Sequence, residues 1–98
     1  ALTANFEEMD NNNVHIYPNP TADNFTIVIN EDPSAQKDLE IKIFNGVGAE
    51  VHLPVKSTSV NKNSLFVEYE AGEYPSGIYM VQLKRDNIVT YKKVVIQK

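Results

Sequence analysis

Cysteine and tryptophan are both missing from this chain of 98 residues. Without cysteine there is no disulfide framework, no thiolate metal site and no thiol nucleophile, and nothing points to a particular redox compartment. Without tryptophan, the row of flat aromatics expected on a sugar-binding module is harder to assemble. Apolar runs extend over only a few residues, so no segment is long enough to span a bilayer as a helix. A basic-then-apolar leader and an initiator Met are likewise missing at Ala1-Leu2-Thr3, and the expectation is a piece cut from a longer protein, continued on its N-terminal side.

What is present suits one small domain with a modest core. The net charge of −4 is unevenly placed. Residues 84–98 carry Lys84, Arg85, Lys92, Lys93 and Lys98 against Asp86 alone, whereas residues 1–83 hold four basic and twelve acidic side chains. An acidic body repels polyphosphate, which argues against nucleic acid as a partner, and a local acidic protein surface suits the basic end better. The same lysines would also keep an edge strand soluble.

Residues 1–13 are polar, acidic and asparagine-rich, and read as a flexible linker; the domain is expected over 14–98. From Val14 the pattern changes to short alternating runs. Val14 to Tyr17 opens the series, followed by Phe25, Ile27 and Ile29, then Leu39, Ile41 and Ile43. Val51, Leu53 and Val55 form the next run, followed by Leu65, Val67 and Tyr69, then Ile78 to Lys84 and Ile88 to Ile96. In the last run either Val94 and Ile96 or Val89, Tyr91 and Val95 face inward, and a bulge would allow both. Asn45 to Gly48, Asp86-Asn87 and Pro75-Ser76-Gly77 supply turns, and the stretches Asn30–Asp38 and Lys56–Ser64 read as loops. About seven short strands at this spacing predict an all-β, antiparallel two-sheet sandwich. Its core is expected at Phe25, Ile27, Leu39, Ile41, Ile43, Leu65, Val67, Val81 and Leu83.

A search for chemistry finds no catalytic constellation. His15 and His52 fall on separate strands with no carboxylate at triad or ligand spacing, and no serine sits in a nucleophile elbow. Glu68 and Glu70 share a strand face roughly 7 Å apart, without the cleft a glycosidase pair requires. Gly46-Val47-Gly48 resembles a phosphate loop, but a strand follows where a helix N-terminus is needed. Asp10 with Asn11 to Asn13, and Asn30-Glu31-Asp32, lack the spacing of a calcium loop. Asn24-Phe25-Thr26 is a glycosylation sequon placed on a strand. The expectation is a non-enzymatic module without cofactor or metal.

Other features stand out in order along the chain. Tyr17-Pro18-Asn19-Pro20 puts two prolines at the end of the first strand, which confines it to a sheet edge. Asn19 can cap the turn that follows. Ile41-Lys42-Ile43-Phe44-Asn45 leads to Gly48, Pro75 to Val81 reads PSGIYMV, and the chain ends Lys92-Lys93-Val94-Val95-Ile96-Gln97-Lys98. Taken together over about residues 16–98, these resemble the C-terminal sorting domain, type A, of the type IX secretion system of Bacteroidetes. That family shows a YPNP opening, an IKIFN-like strand before a glycine turn, a PSGIY-like motif and a KKVV-type ending. The long segment between Lys56 and Ser64 departs from its pattern.

The resemblance implies an immunoglobulin-like sandwich of about seven strands, carried behind a passenger and directing it through the periplasm and across the outer membrane. It further implies removal by a sortase-like peptidase, which would cut in the linker 1–13. The passenger is then released or anchored at the cell surface on anionic lipopolysaccharide. Carried over residue by residue, the elements read by the secretion machinery are Gly77 and Tyr79 with Lys92, Lys93, Val94, Val95, Ile96, Gln97 and Lys98. Independently of the family, a charged terminal strand can pair along a receptor edge, with main-chain hydrogen bonds for affinity and lysines for orientation. The competing reading is a non-catalytic accessory module of a secreted hydrolase, binding carbohydrate or protein. It predicts that Tyr74, Tyr79 and Tyr91 form a flat exposed platform.

Overall fold

The alternating runs become eight strands in a computed structural model that describes residues 13–30, 39–85 and 88–98, the side chains of residues 85 and 88 excepted. All but the last residue of the linker expected over 1–13, the rest of the loop after Asn30, the Asp86-Asn87 turn and most of both clusters considered for calcium lie outside the described residues. In chain order the strands are β1 (Val14–Tyr17), β2 (Asn24–Asn30), β3 (Glu40–Phe44), β4 (Glu50–Val51), β5 (Val55–Asn61), β6 (Ser64–Glu70), β7 (Gly77–Arg85) and β8 (Ile88–Ile96). They form two antiparallel sheets of four strands, ordered β1-β2-β6-β5 and β4-β3-β7-β8.

Register explains the core. Phe25, Ile27 and Ile29 of β2 lie opposite Tyr69, Val67 and Leu65 of β6, so all six share the inner face of one sheet. Ile41 and Ile43 of β3 lie opposite Leu83 and Val81 of β7, and β8 adds Val94 and Ile96 to the same inner face. The two inner faces meet in one cluster, with Phe25 and Tyr69 stacked at a centroid separation of 5.6 Å. Burying each aliphatic of this kind contributes roughly 1.5–3 kcal/mol. Of the expected core, Phe25, Ile27, Ile43, Val67, Val81 and Leu83 are buried, while Leu39, Ile41 and Leu65 are half-buried at its rim. Val14, Ile29, Leu53, Tyr69, Ala71, Tyr79, Val94 and Ile96 complete it.

The middle of the chain differs from the expectation. The run Val51–Val55 is not one strand: Glu50-Val51 belongs to one sheet and Val55 begins β5 in the other. His52 to Pro54 crosses between them, which moves His52 off a strand into an exposed link. Pro54, with no N–H to give a ladder, suits such a crossing, and its carbonyl accepts from Glu70 N at 2.9 Å. Lys56–Ser64 is mostly strand. Most of it belongs to β5, an edge strand whose seven residues Val55–Asn61 are all exposed, joined to β6 by a turn with Lys62 at φ +57°. In β8 the register against β7 runs unbroken from Ile88 to Ile96, with Val94 and Ile96 inward and no bulge.

Turn chemistry follows the sequence elsewhere. Asn45 closes the β3–β4 hairpin: its Oδ1 accepts from Val47 N and Ala49 N at 3.1 and 3.0 Å, and Gly48 takes φ +89°.

Candidate functional site

β1 and β8 are edge strands of different sheets, and the segment after β1 closes the sandwich between them. Both Tyr17-Pro18 and Asn19-Pro20 are cis peptides. Asn19 does not cap its own turn. Its Nδ2 donates to Lys93 O at 2.8 Å and its Oδ1 accepts from Val95 N at 3.0 Å. Two residues on, Thr21 N donates to Val95 O and Gln97 N donates to Thr21 O, each at 2.8 Å, forming a short parallel bridge to Ile96. Thr21 is itself fixed, buried, with its hydroxyl donating to Asn24 O at 2.6 Å.

The last strand is therefore held on both sides, by β7 along its length and by Asn19 and Thr21 over residues 93–97. Only the earlier part of its outer edge, at Val89, Tyr91 and Lys93 N, has main-chain groups without a partner among the described residues. Lys98 finishes the attachment: its N donates to Ser76 Oγ at 2.9 Å and its Nζ to Gly72 O.

Alternation divides the nine candidate residues into two sets. Tyr79, Val94 and Ile96 point into the core, and the Tyr79 hydroxyl donates to Pro75 O at 2.8 Å, tying the ring to the turn before its own strand. Gly77 begins β7 opposite Ile96, and a Cβ there would meet the Tyr79 ring at an ordinary contact distance of 3.8 Å. Lys92 is half-buried on the inner side opposite Val81, beside the β1 edge. Lys93, Gln97 and Lys98 are exposed, and Val95 is half-exposed on the outer face. These four are open to the outside of the domain, whereas Tyr79, Val94 and Ile96 are closed off in the core.

Nothing in the alternation or the turn pattern marks Asn19 and Thr21 as partners of β8. The available signal was the asparagine held between two prolines, whose contact lies more than seventy positions away.

Elsewhere the surface offers little chemistry. His15 and His52 are both exposed. Among the described residues no three His, Asp or Glu side chains converge to hold a metal ion. Glu68 accepts from Ser57 and Asn24 on the outer face of its sheet. The three tyrosines do not form a platform: Tyr79 is buried, Tyr74 packs on the core and donates to His52 O at 2.9 Å, and Tyr91 is exposed on the outer face of β8, where its hydroxyl accepts from Gln82.

Comparison with known proteins agrees with this geometry. The family profile described as secretion system C-terminal sorting domain matches residues 15–97. No curated protein matches the chain. Among solved structures, the filamin domain in "Crystal structure of the Lin-41 filamin domain" superposes with a TM-score of 0.59 at 12% identity, covering 87% of this chain and 92% of that one. That likeness establishes the fold, an immunoglobulin-like sandwich.

Proposed function

The chain belongs to the secretion system C-terminal sorting domain family, the signal domains of type IX secretion, and from that premise we propose that the machinery reads its folded end and not a loose terminal peptide. The observation that carries this reading is the clamp on β8. With Val94 and Ile96 in the core and the 93–97 edge taken up by Asn19 and Thr21, a partner meets residues 93–98 through the outward side chains Lys93, Val95, Gln97 and Lys98. Gly77 and Tyr79 then serve by building the turn that receives Lys98.

In this reading residues 14–98 form the signal domain and residues 1–13 join it to a passenger. A sortase-like peptidase cuts within that joining segment, and the passenger is released or anchored at the cell surface. The domain has no catalytic part in this: it is a substrate of the machinery. Support comes from the family membership and from the exposed, basic character of the terminal residues.

The test separates fold from peptide. Residues 1–98 are fused to an inert periplasmic reporter in a Bacteroidetes host, and Ile43→Asp is introduced far from the terminus, where a carboxylate in the core unfolds the domain. Export of the parent fusion and periplasmic retention of the variant, with its residues 92–98 intact, is the expected result. Equal export of both would mean that the terminal peptide is read without the fold.

A further inference from the structure

We propose that the outer face of β3, β7 and β8 is a docking surface for a protein partner that presents an apolar patch rimmed by carboxylates; this deepens the sorting reading and rests on it. The register puts Phe44, Met80 and Lys93 in one row across the sheet, Lys42, Gln82 and Tyr91 in the next, and Ile78 beside Val95 at the end nearest the chain terminus. Ile78 and Tyr91 are each 54% exposed and Met80 37%, with Phe44 and Val95 half-exposed between them. Beside Ile78, the hairpin tip carries Val47 at 89% exposure. Scattered surface apolar residues are ordinary, but a contiguous set on one flat face marks an interaction site.

Charge names the occupant. Among the described residues, the outer side of β7 and β8 presents Ile78, Met80, Gln82, Lys84, Tyr91, Lys93 and Val95, a strip with two lysines and no acid, while Val89 on the same side is buried. The acids of this sheet, Glu40 and Glu50, stand at its β3 and β4 side. An apolar strip bearing only positive charge, on a chain of net charge −4, complements a partner whose patch is edged by carboxylates. Tyr91 adds direction. Its hydroxyl oxygen accepts from Gln82 Nε2 at 2.9 Å, which leaves the hydroxyl proton free to donate outward to a carboxylate or carbonyl. An anionic membrane fits less well, because the net negative charge of the chain opposes approach to such a surface.

The clamp strengthens the assignment. Because Asn19 and Thr21 occupy the 93–97 edge, a partner cannot extend the sheet there, and recognition of the terminal strand must come through its side-chain face.

The experiment uses the 1–98 reporter fusion with Ile78→Ser, Lys93→Glu and Tyr91→Phe, each checked for folding by thermal melting of the purified chain. Val60→Ser is the control, an equally exposed apolar residue on the β5 edge. The expected result is about a ten-fold fall in exported fraction for Ile78→Ser and Lys93→Glu, about three-fold for Tyr91→Phe, and no change for Val60→Ser. A photo-crosslinking residue at position 91 should give a protein adduct that Lys93→Glu weakens. If the parent is exported and the three face variants match it, the docking surface is wrong while the sorting reading stands. If the parent is retained, the sorting reading fails and this inference with it. Sedimentation of the purified chain with phosphatidylglycerol vesicles, lost on Lys93→Glu, would put a lipid in the partner's place. A dimer in ultracentrifugation that Ile78→Ser dissolves would put a second copy there. Either outcome overturns the proposal.

Discussion

Asn19 does more for this fold than its exposed position suggests. One side-chain amide completes the outer edge of the terminal strand, donating to Lys93 O and accepting from Val95 N. Replacing Asn19 with Ala leaves both main-chain groups to water and should cost about 1–3 kcal/mol, two ordinary hydrogen bonds at an exposed site. A fall in the denaturant midpoint of the purified chain measures it, and an unchanged midpoint would show that the clamp does not hold β8. Tyr69 makes a second prediction. Burial pushes its phenol above the ordinary value of 10.0, because the core accepts the neutral ring and resists the charged one. The associated stability is therefore complete below pH 10.0 and is lost as pH rises from there through the folded-state value, where the unfolded chain ionises first. Denaturant midpoints measured across that range should fall less steeply for Tyr69→Phe than for the parent; identical slopes would place the alkaline loss on other groups.

Among the elements, β8 carries the sharpest expectation. Its odd-numbered main-chain groups face away from β7, and their partners differ along the strand: Val95 and Gln97 N–H are bonded, whereas Tyr91 and Lys93 N–H have no partner among the described residues. Amide hydrogen exchange should therefore be slow at Val95 and Gln97 and fast at Tyr91 and Lys93. Uniform protection along the edge, or fast exchange throughout, would contradict the clamp. Much of the fold was legible from sequence at this scale. β2, β3, β6 and β7 alternate because one face of each is buried against the opposing sheet, and burial writes the period of two. β5 was not legible for the same reason in reverse. With every residue exposed, Val55 to Asn61 carries no inward set, and a serine- and threonine-rich stretch reads as loop. The break at His52–Pro54 was hidden because a buried Leu53 between Val51 and Val55 mimics alternation across a change of sheet. The site was legible as motifs, not as roles. PSGIY and KKVVIQK were visible, but alternation alone could not say that Val94 and Ile96 face inward while Lys93 and Val95 face out, since the last run admitted two registers.

Across the whole molecule, the proposed function makes the immunoglobulin-like sandwich a presentation frame. An acidic body carries one basic end, and the topology brings that end to the outside of a sheet whose neighbouring positions are apolar. The core fixes β8 from within and the Tyr17–Thr21 segment fixes it from the side, so the terminal residues are ordered before any partner arrives and little conformational freedom is lost on recognition. The central claim, that this domain alone is sufficient address for type IX secretion, is tested most directly by locating the reporter. The 1–98 fusion and the reporter alone are expressed in a Bacteroidetes host with its type IX machinery intact and in the same host with the outer-membrane translocon removed, and each culture is separated into periplasm, cell surface and medium. The fusion should reach the surface or the medium only in the intact host, and the reporter alone should stay in the periplasm of both. Retention of a folded fusion in the periplasm of the intact host, or equal export from the two hosts, would contradict the account.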